Sequence, residues 1–423
     1  MTCKVPFLLT ILLISLLFSA GQPVGAENWT EFRGPTGQGY STEKNIPARW
    51  SDTENVRWKM AVPGIGWSSP VVFNGRVYLT TAVDQGTNNS LNQSLRVVCL
   101  DASTGKSVWN VEVFRQDATT TDPIHSKNSH ASATPLTDGK HLFVHYGTLG
   151  TACLRLDGKI VWKTRKLKYS PRHGNGESPV LVDDMLVVSC DGADEQFVVA
   201  LDRGTGKIRW KRLRPDVVNP SKFSFSTPLV ITVGGEKQVV CPGTDLVIAY
   251  EPANGREIWT VKYDGYSVVP RPIYAHGLVY VCTGWSPPNL LVIRPDGRGD
   301  VTDTHVQWTS TRNIPNTPSP LMIGNDLYFI SDRGVASCVD AKTGTVHWQQ
   351  RVGGNYSASP VYADGKIYFQ SEDGVATVIK PATRYVELAK NRFPGARTLA
   401  SYAVADSAIF IRTDKHLYRI EQR

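Results

Sequence analysis

Two short stretches concentrate the side chains that could bind or catalyse. DPIHSKNSHASATP carries His125, Asn128 and His130, and SPRHGNGESP carries Arg172, His173, Asn175 and Glu177. Imidazoles titrate near neutrality and serve as acid–base groups or metal ligands. A guanidinium, amides and a carboxylate beside them suit a polar ligand. The spacing supports no named chemistry: there is no H-x-E or HExxH pair, no CxxC and no nucleophile elbow, so no metal site is assigned. Three readings stay open. These residues are satisfied turn and capping groups, a polar small-ligand or peptide site, or a catalytic or metal pair using His130 and His173.

What must position them is a repeat. Ser69-Pro70, Thr134-Pro135, Ser178-Pro179, Thr227-Pro228, Arg271-Pro272, Ser319-Pro320, Ser359-Pro360 and the degenerate Ser401-Tyr402 each open an apolar, turn, apolar run such as SPVVFNGRVYLTT or SPVYADGKIYFQS. The alternation and the Asn-Gly or Asp-Gly turns predict antiparallel hairpins. A third strand and a turn follow, as in LDASTGKSVW, LDRGTGKIRW and VDAKTGTVHW, and the fourth strand opens with tryptophan. Trp58, Trp109, Trp162, Trp210, Trp259, Trp308 and Trp348 share this position, with Leu388 in the seventh unit. A large ring at a fixed place in every unit predicts packing of one blade on the next.

Four short strands per unit, repeated radially, predict an all-β, eight-bladed β-propeller of four-stranded antiparallel blades. The last unit holds only three strands of chain. The strand Asn55–Met60 is expected to complete it and close the ring, removing exposed edges. The expected organisation is a signal peptide over 1–26, an N-terminal extension over 27–54 and one propeller over 55–423. Lys4, the apolar run Phe7 to Phe18 and the small residues Val24-Gly25-Ala26 carry the signal reading, which places the protein in the periplasm or outside the cell. No later stretch is apolar enough to span a membrane.

Loops leading into the innermost strands line one mouth of a propeller's channel. Their candidates are Trp67, His130, His173 with Asn175, Phe225, Tyr266 with Arg271, Asn316, Tyr356 and Arg397. The polar insertion Asp84 to Arg96 is expected as a surface loop. The net charge of +8 is interspersed rather than striped, which argues against a nucleic-acid binder. Cys99, Cys153 and Cys338 occupy one repeat position, and none of the cysteines forms a close pair, so buried thiols are expected.

The run [Ser/Thr]-Pro, Gly, apolar strand, then Leu-Asp-x-x-Thr-Gly-x-x-x-Trp resembles the PQQ-like repeat of quinoprotein dehydrogenases. It resembles still more the noncatalytic outer-membrane assembly lipoproteins of that superfamily. The opening WTEFRGPTGQGYS is similar to secreted PQQ-like proteins of planctomycete type. The dehydrogenase side of the resemblance implies a quinone, calcium, a vicinal Cys-Cys pair and a catalytic Asp. This chain has no adjacent cysteines and no matching carboxylate set. The expected function is therefore an exported, noncatalytic binding or scaffold module without cofactor. Its occupant would be a protein, peptide or glycan at the channel mouth or rim, and the protein would work as a monomer. The alternative is a PQQ- and calcium-dependent oxidoreductase.

Overall fold

A computed structural model describes residues 1–2, 27–86, 91–117, 124–285 and 287–423. The expected signal segment lies outside the described residues, apart from residues 1–2. The described chain is nearly all β, with eight antiparallel sheets in a ring. Among these residues no helix is long and apolar enough to cross a membrane.

Blade 1 shows how the repeat folds. Its strands are Val71–Phe73, Arg76–Asp84, Gln93–Asp101 and Ser107–Gln116. Asn74 and Gly75 turn the first hairpin at φ 48° and 68°, a left-handed pair that Asn-Gly tolerates. Asp101 holds the next turn by accepting from the Thr104 amide and hydroxyl, and Asp202–Thr205 and Asp340–Thr343 repeat the contact. The threonine hydroxyls hold Asp202 and Asp340 below the usual carboxylate range. The insertion after Asp84 is partly ordered into the sheet, since Asp84 pairs with Gln93 and Val83 with Ser94.

A register shift recurs between the third and fourth strands, for instance at Cys99/Leu100, Cys153/Leu154 and Cys338/Val339. Each bulge sets a tryptophan opposite a small residue: Trp109 faces Cys99, Trp162 faces Cys153 and Trp348 faces Cys338. That explains where these thiols sit. All six described cysteines are buried and free, and burial pushes Cys99, Cys153 and Cys338 up to about 12. The indole N–H of Trp58, Trp109, Trp162, Trp210 and Trp348 donates to a carbonyl of the following unit, at Ala102, Leu156, Arg203, Pro252 and Ala382. Trp259 and Trp308 differ. Gly299–Asp300, ahead of the short helix Thr302–His305, adds a parallel fifth strand beside Glu257–Lys262. Trp259 is fully buried and donates instead to Gln238, while Trp308 Nε1 has no partner among the described residues.

The ring closes where Val56–Ala61 pairs with His416–Glu421. Blade 8 is thus completed by the N-terminal strand. Residues 27–41 do not trail outside the ring. Trp29 pairs through both backbone groups with Val72 of the innermost strand of blade 1. Thr30 O accepts from Thr137 in blade 2, and Gly39 and Ser41 bond Tyr362 in blade 7. This segment crosses the channel and plugs one end of it.

Candidate functional site

The plug leaves a cup of about 590 Å³ that opens at the opposite mouth. Its floor includes Phe32 from the plug. Below it, Arg33 is 1 % exposed and donates to Gln38 O at 2.7 Å and Pro320 O at 2.6 Å. Arg271 donates to Phe32 O at 2.7 Å and Pro228 O at 3.0 Å, and ion-pairs with Glu31 at 3.3 Å. Burial, reinforced by Arg271, brings Arg33 down to about 9.

A belt of hydroxyls rings the cup, and it accounts for the Ser/Thr-Pro repeat. The amide of Ser69 donates to Thr134 Oγ1, Thr134 to Ser178 Oγ, and Ser178 to Thr227 Oγ1. Beyond the break at Arg271, the amide of Arg271 donates to Ser319, Ser319 to Ser359, and Ser359 to Ser401. Each hydroxyl so used ties its blade to the preceding one. In Thr134, Ser178, Thr227 and Ser401 the O–H proton is left as a donor that a ligand can use.

Above the belt the wall is aromatic: Trp67, Phe223, Phe225, Tyr266 and Trp285 line it. Trp285 is 51 % exposed. Phe223 stands edge-on to both His173 and Tyr266, with centroids 5.3 and 5.8 Å apart. His125 meets His173 edge-on at 5.5 Å. Burial, then His125 and Arg172, lowers the His173 pKa, so its neutral form is favoured. Lys127 reaches across to Glu372 at 2.7 Å, and Arg397 lies over Trp67 while donating to Ser126 O.

Of the sequence candidates, Trp67, His125, Asn128, His173, Phe225 and Tyr266 line the cup, and Arg397 borders it through Trp67. The others lie elsewhere. Tyr356 is 1 % exposed and packs in the core between blades 6 and 7. Asn316 is absent from the wall, and its amide is held by Asp332, which does line the cup. Arg271 is engaged by the plug. His130 and Asn175 face a separate crevice of about 280 Å³, where Tyr169 joins them. His130 bonds Gln93 at 2.9 Å, a residue of the Asp84–Arg96 insertion that pairs with Asp84 in the sheet rather than lying in a surface loop. A polar residue in a leading loop is drawn into the nearest buried network as readily as into the channel, so loop position alone does not place it. Sequence reasoning missed Phe32, Phe223 and Trp285. Phe32 belongs to the non-repeating extension, whereas Phe223 stood two residues from a residue that was chosen.

Behind the wall, between the cup residues Gly176 and Ser178, Glu177 is fully buried. Gly176 N donates to its Oε2, while Oε1 has no partner among the described residues. Burial pushes its carboxyl up to about 8. Asp191 and Arg214 form a closed bidentate pair nearby, at 2.7 and 2.9 Å.

Comparison with known proteins follows the same lines. A family model described as outer membrane protein assembly factor BamB matches residues 44–212, 194–321 and 297–386. Quinohemoprotein alcohol dehydrogenase ADH IIB of Pseudomonas putida is 23 % identical over 366 residues, covering 75 % of this chain and 48 % of that protein. Tetrathionate hydrolase of Acidithiobacillus ferrooxidans is 21 % identical over 304 residues, covering 68 % and 53 %. The chain thus spans about half the length of these curated relatives. Among solved structures, BamB from Moraxella catarrhalis has a TM-score of 0.61 at 12 % identity, over 86 % of this chain and 99 % of that one. A europium-containing methanol dehydrogenase has a TM-score of 0.64 at 12 % identity, over 91 % and 89 %. At these identities the likeness is one of fold, and one fold hosts many functions.

The quinone-and-cation chemistry named by some of these proteins was tested against the cup. A hard cation takes about six to eight oxygen donors, carbonyls and waters included, with carboxylates supplying the compensating charge. Among the described residues no three His, Cys, Asp or Glu side chains converge. Asp332 is the carboxylate on the wall, and it already accepts from Asn316. These residues do not fit the group. With the repeat, the closed eight-blade ring and the family match over most of its length, the chain belongs to the PQQ-like β-propeller family described as outer membrane protein assembly factor BamB.

Proposed function

We propose that this protein is an exported, noncatalytic binding propeller whose occupant, a protein segment, peptide or glycan, enters the one-ended cup. The observation that carries this reading is the pairing of an aromatic wall with a hydroxyl belt above a sealed floor. Aromatic faces bury the apolar side of a side chain or sugar ring, and the belt offers hydrogen-bond donors beneath it. The indole contacts between units support a docking role for the repeated tryptophans. They make the blades a rigid frame, so that recognition falls to the mouth.

Calorimetric titration of the purified protein with PQQ, with and without calcium, separates this reading from an oxidoreductase. The binding reading predicts no saturable heat. Micromolar or tighter affinity, about −8 kcal/mol, together with calcium-dependent dye reduction would replace it with the quinone enzyme.

A further inference from the structure

Glu43 is a buried carboxylate with no ion pair among the described residues. It is 9 % exposed. Its Oε2 accepts from the Ser407 amide at 2.9 Å and from the Ser407 hydroxyl, which ties it to the first turn of blade 8. Its Oε1 accepts from the backbone nitrogen of Glu27 at 2.7 Å. Two more carboxylates lie close. Glu27 bonds the Ser41 hydroxyl and the Thr42 amide. Asp406 is raised by its burial and by Glu43, against the pull of Arg419. Arg419 stands 4.0 Å from Asp406 and is also engaged by Glu421 at 2.7 Å. Arg419 is thus committed to Asp406 and Glu421, and no ion pair among the described residues reaches Glu27 or Glu43.

The residues before Glu27 are Val24-Gly25-Ala26, a small-residue run. We propose that Ala26–Glu27 is a processing site, and that cleavage creates an α-ammonium at Glu27 that ion-pairs with Glu43 and pins the channel plug to blade 8. A peptidase selecting small residues adds water across the peptide bond. The hydroxyl goes to the Ala26 carbonyl carbon, and the C–N bond breaks. The freed amine takes up the protons and becomes cationic. A full charge then replaces an amide dipole on the Glu43 oxygen, which strengthens the contact. Two residues further on, Trp29 enters the ladder of blade 1, so the pair fixes the outer end of the plug.

This inference rests on the export proposed above. An α-amine ordinarily titrates near 7.7–8.0. Pairing raises its folded value, so the contribution is fully present below about 7.7 and is lost as pH rises through the raised value. The full chain is expressed in an exporting bacterium, and the N-terminus of the purified protein is read by intact mass. Its α-amine is then acylated at pH 7. The expected N-terminus is Glu27, with an acylation rate about tenfold slower than in Glu43→Gln, equivalent to one pH unit. A chain beginning at Ala26 should react as fast as Glu43→Gln. Retention of residues 1–26 would overturn export itself. A terminus elsewhere, such as Gly21, would overturn the site while leaving export standing. Equal rates in wild type and Glu43→Gln would overturn the ion pair.

Discussion

The two ends of the channel are built on opposite terms. At the plugged end, Arg33 and Arg271 are buried at 1 % and 2 % exposure and donate to carbonyls, with Glu31 added for Arg271, although Arg33 Nε and the Trp29 indole nitrogen have no partner among the described residues. At the open end, Trp285 is half exposed, and the wall conceals Glu177 with one unpartnered oxygen and Trp67 with an unpartnered indole nitrogen. Partnered polar groups stabilise, whereas unpartnered buried ones cost about 1–3 kcal/mol each. Both ends carry such groups, so the difference lies in exposure: buried guanidiniums tie the plug to the ring, whereas the open end presents an exposed aromatic wall.

Substitutions can break this contrast. The largest loss is expected for Arg33→Ala, about 3 kcal/mol, because several carbonyls lose their donor at once. Chemical denaturation measures it, and a loss below 1 kcal/mol would mean that the plug is not structural. Glu177→Gln comes next. With a folded pKa about 8, above the unfolded carboxyl value, the wild-type contribution is complete below about 4.5 and declines as pH rises towards 8. The amide variant lacks that decline, so a stability gap opens in its favour as pH rises towards 8. Parallel pH profiles would refute the raised carboxyl. Gly37→Ala follows at about 1–2 kcal/mol. Its φ is +66°, and an added Cβ would run into the Arg271 guanidinium. The smallest stability effect belongs to Trp285→Ala, within about 0.5 kcal/mol, and a thermal shift of several degrees would place that ring in the frame instead of at the mouth.

The frame was legible in the sequence because repetition makes one signal eight times over. The Ser/Thr-Pro starts, the Asp-x-x-Thr-Gly turns and the tryptophans each recur where the sheet requires them, and the missing strand of the last unit pointed to Asn55–Met60, which forms the strand Val56–Ala61. The plug was not legible, since residues 27–41 repeat nothing and their partners Val72, Pro320 and Tyr362 are distant in sequence. The belt was visible as residues but not as a bond pattern. The fifth strand at Gly299–Asp300 was hidden in a polar insertion whose pairing depends on the neighbouring blade. The cup was half legible. Loop position found Trp67, His173, Phe225 and Tyr266, but it also proposed Tyr356, whose side chain turns into the core between two blades.

The central claim is that the occupant enters the open mouth. It is tested most directly by placing a photoreactive benzoylphenylalanine at position 285, and separately at the exposed outer-strand position Val161, in the full chain expressed in an exporting bacterium, then irradiating intact cells. The account predicts a discrete adduct from position 285 and none from 161. An adduct from 161 alone, or from neither position, would contradict it.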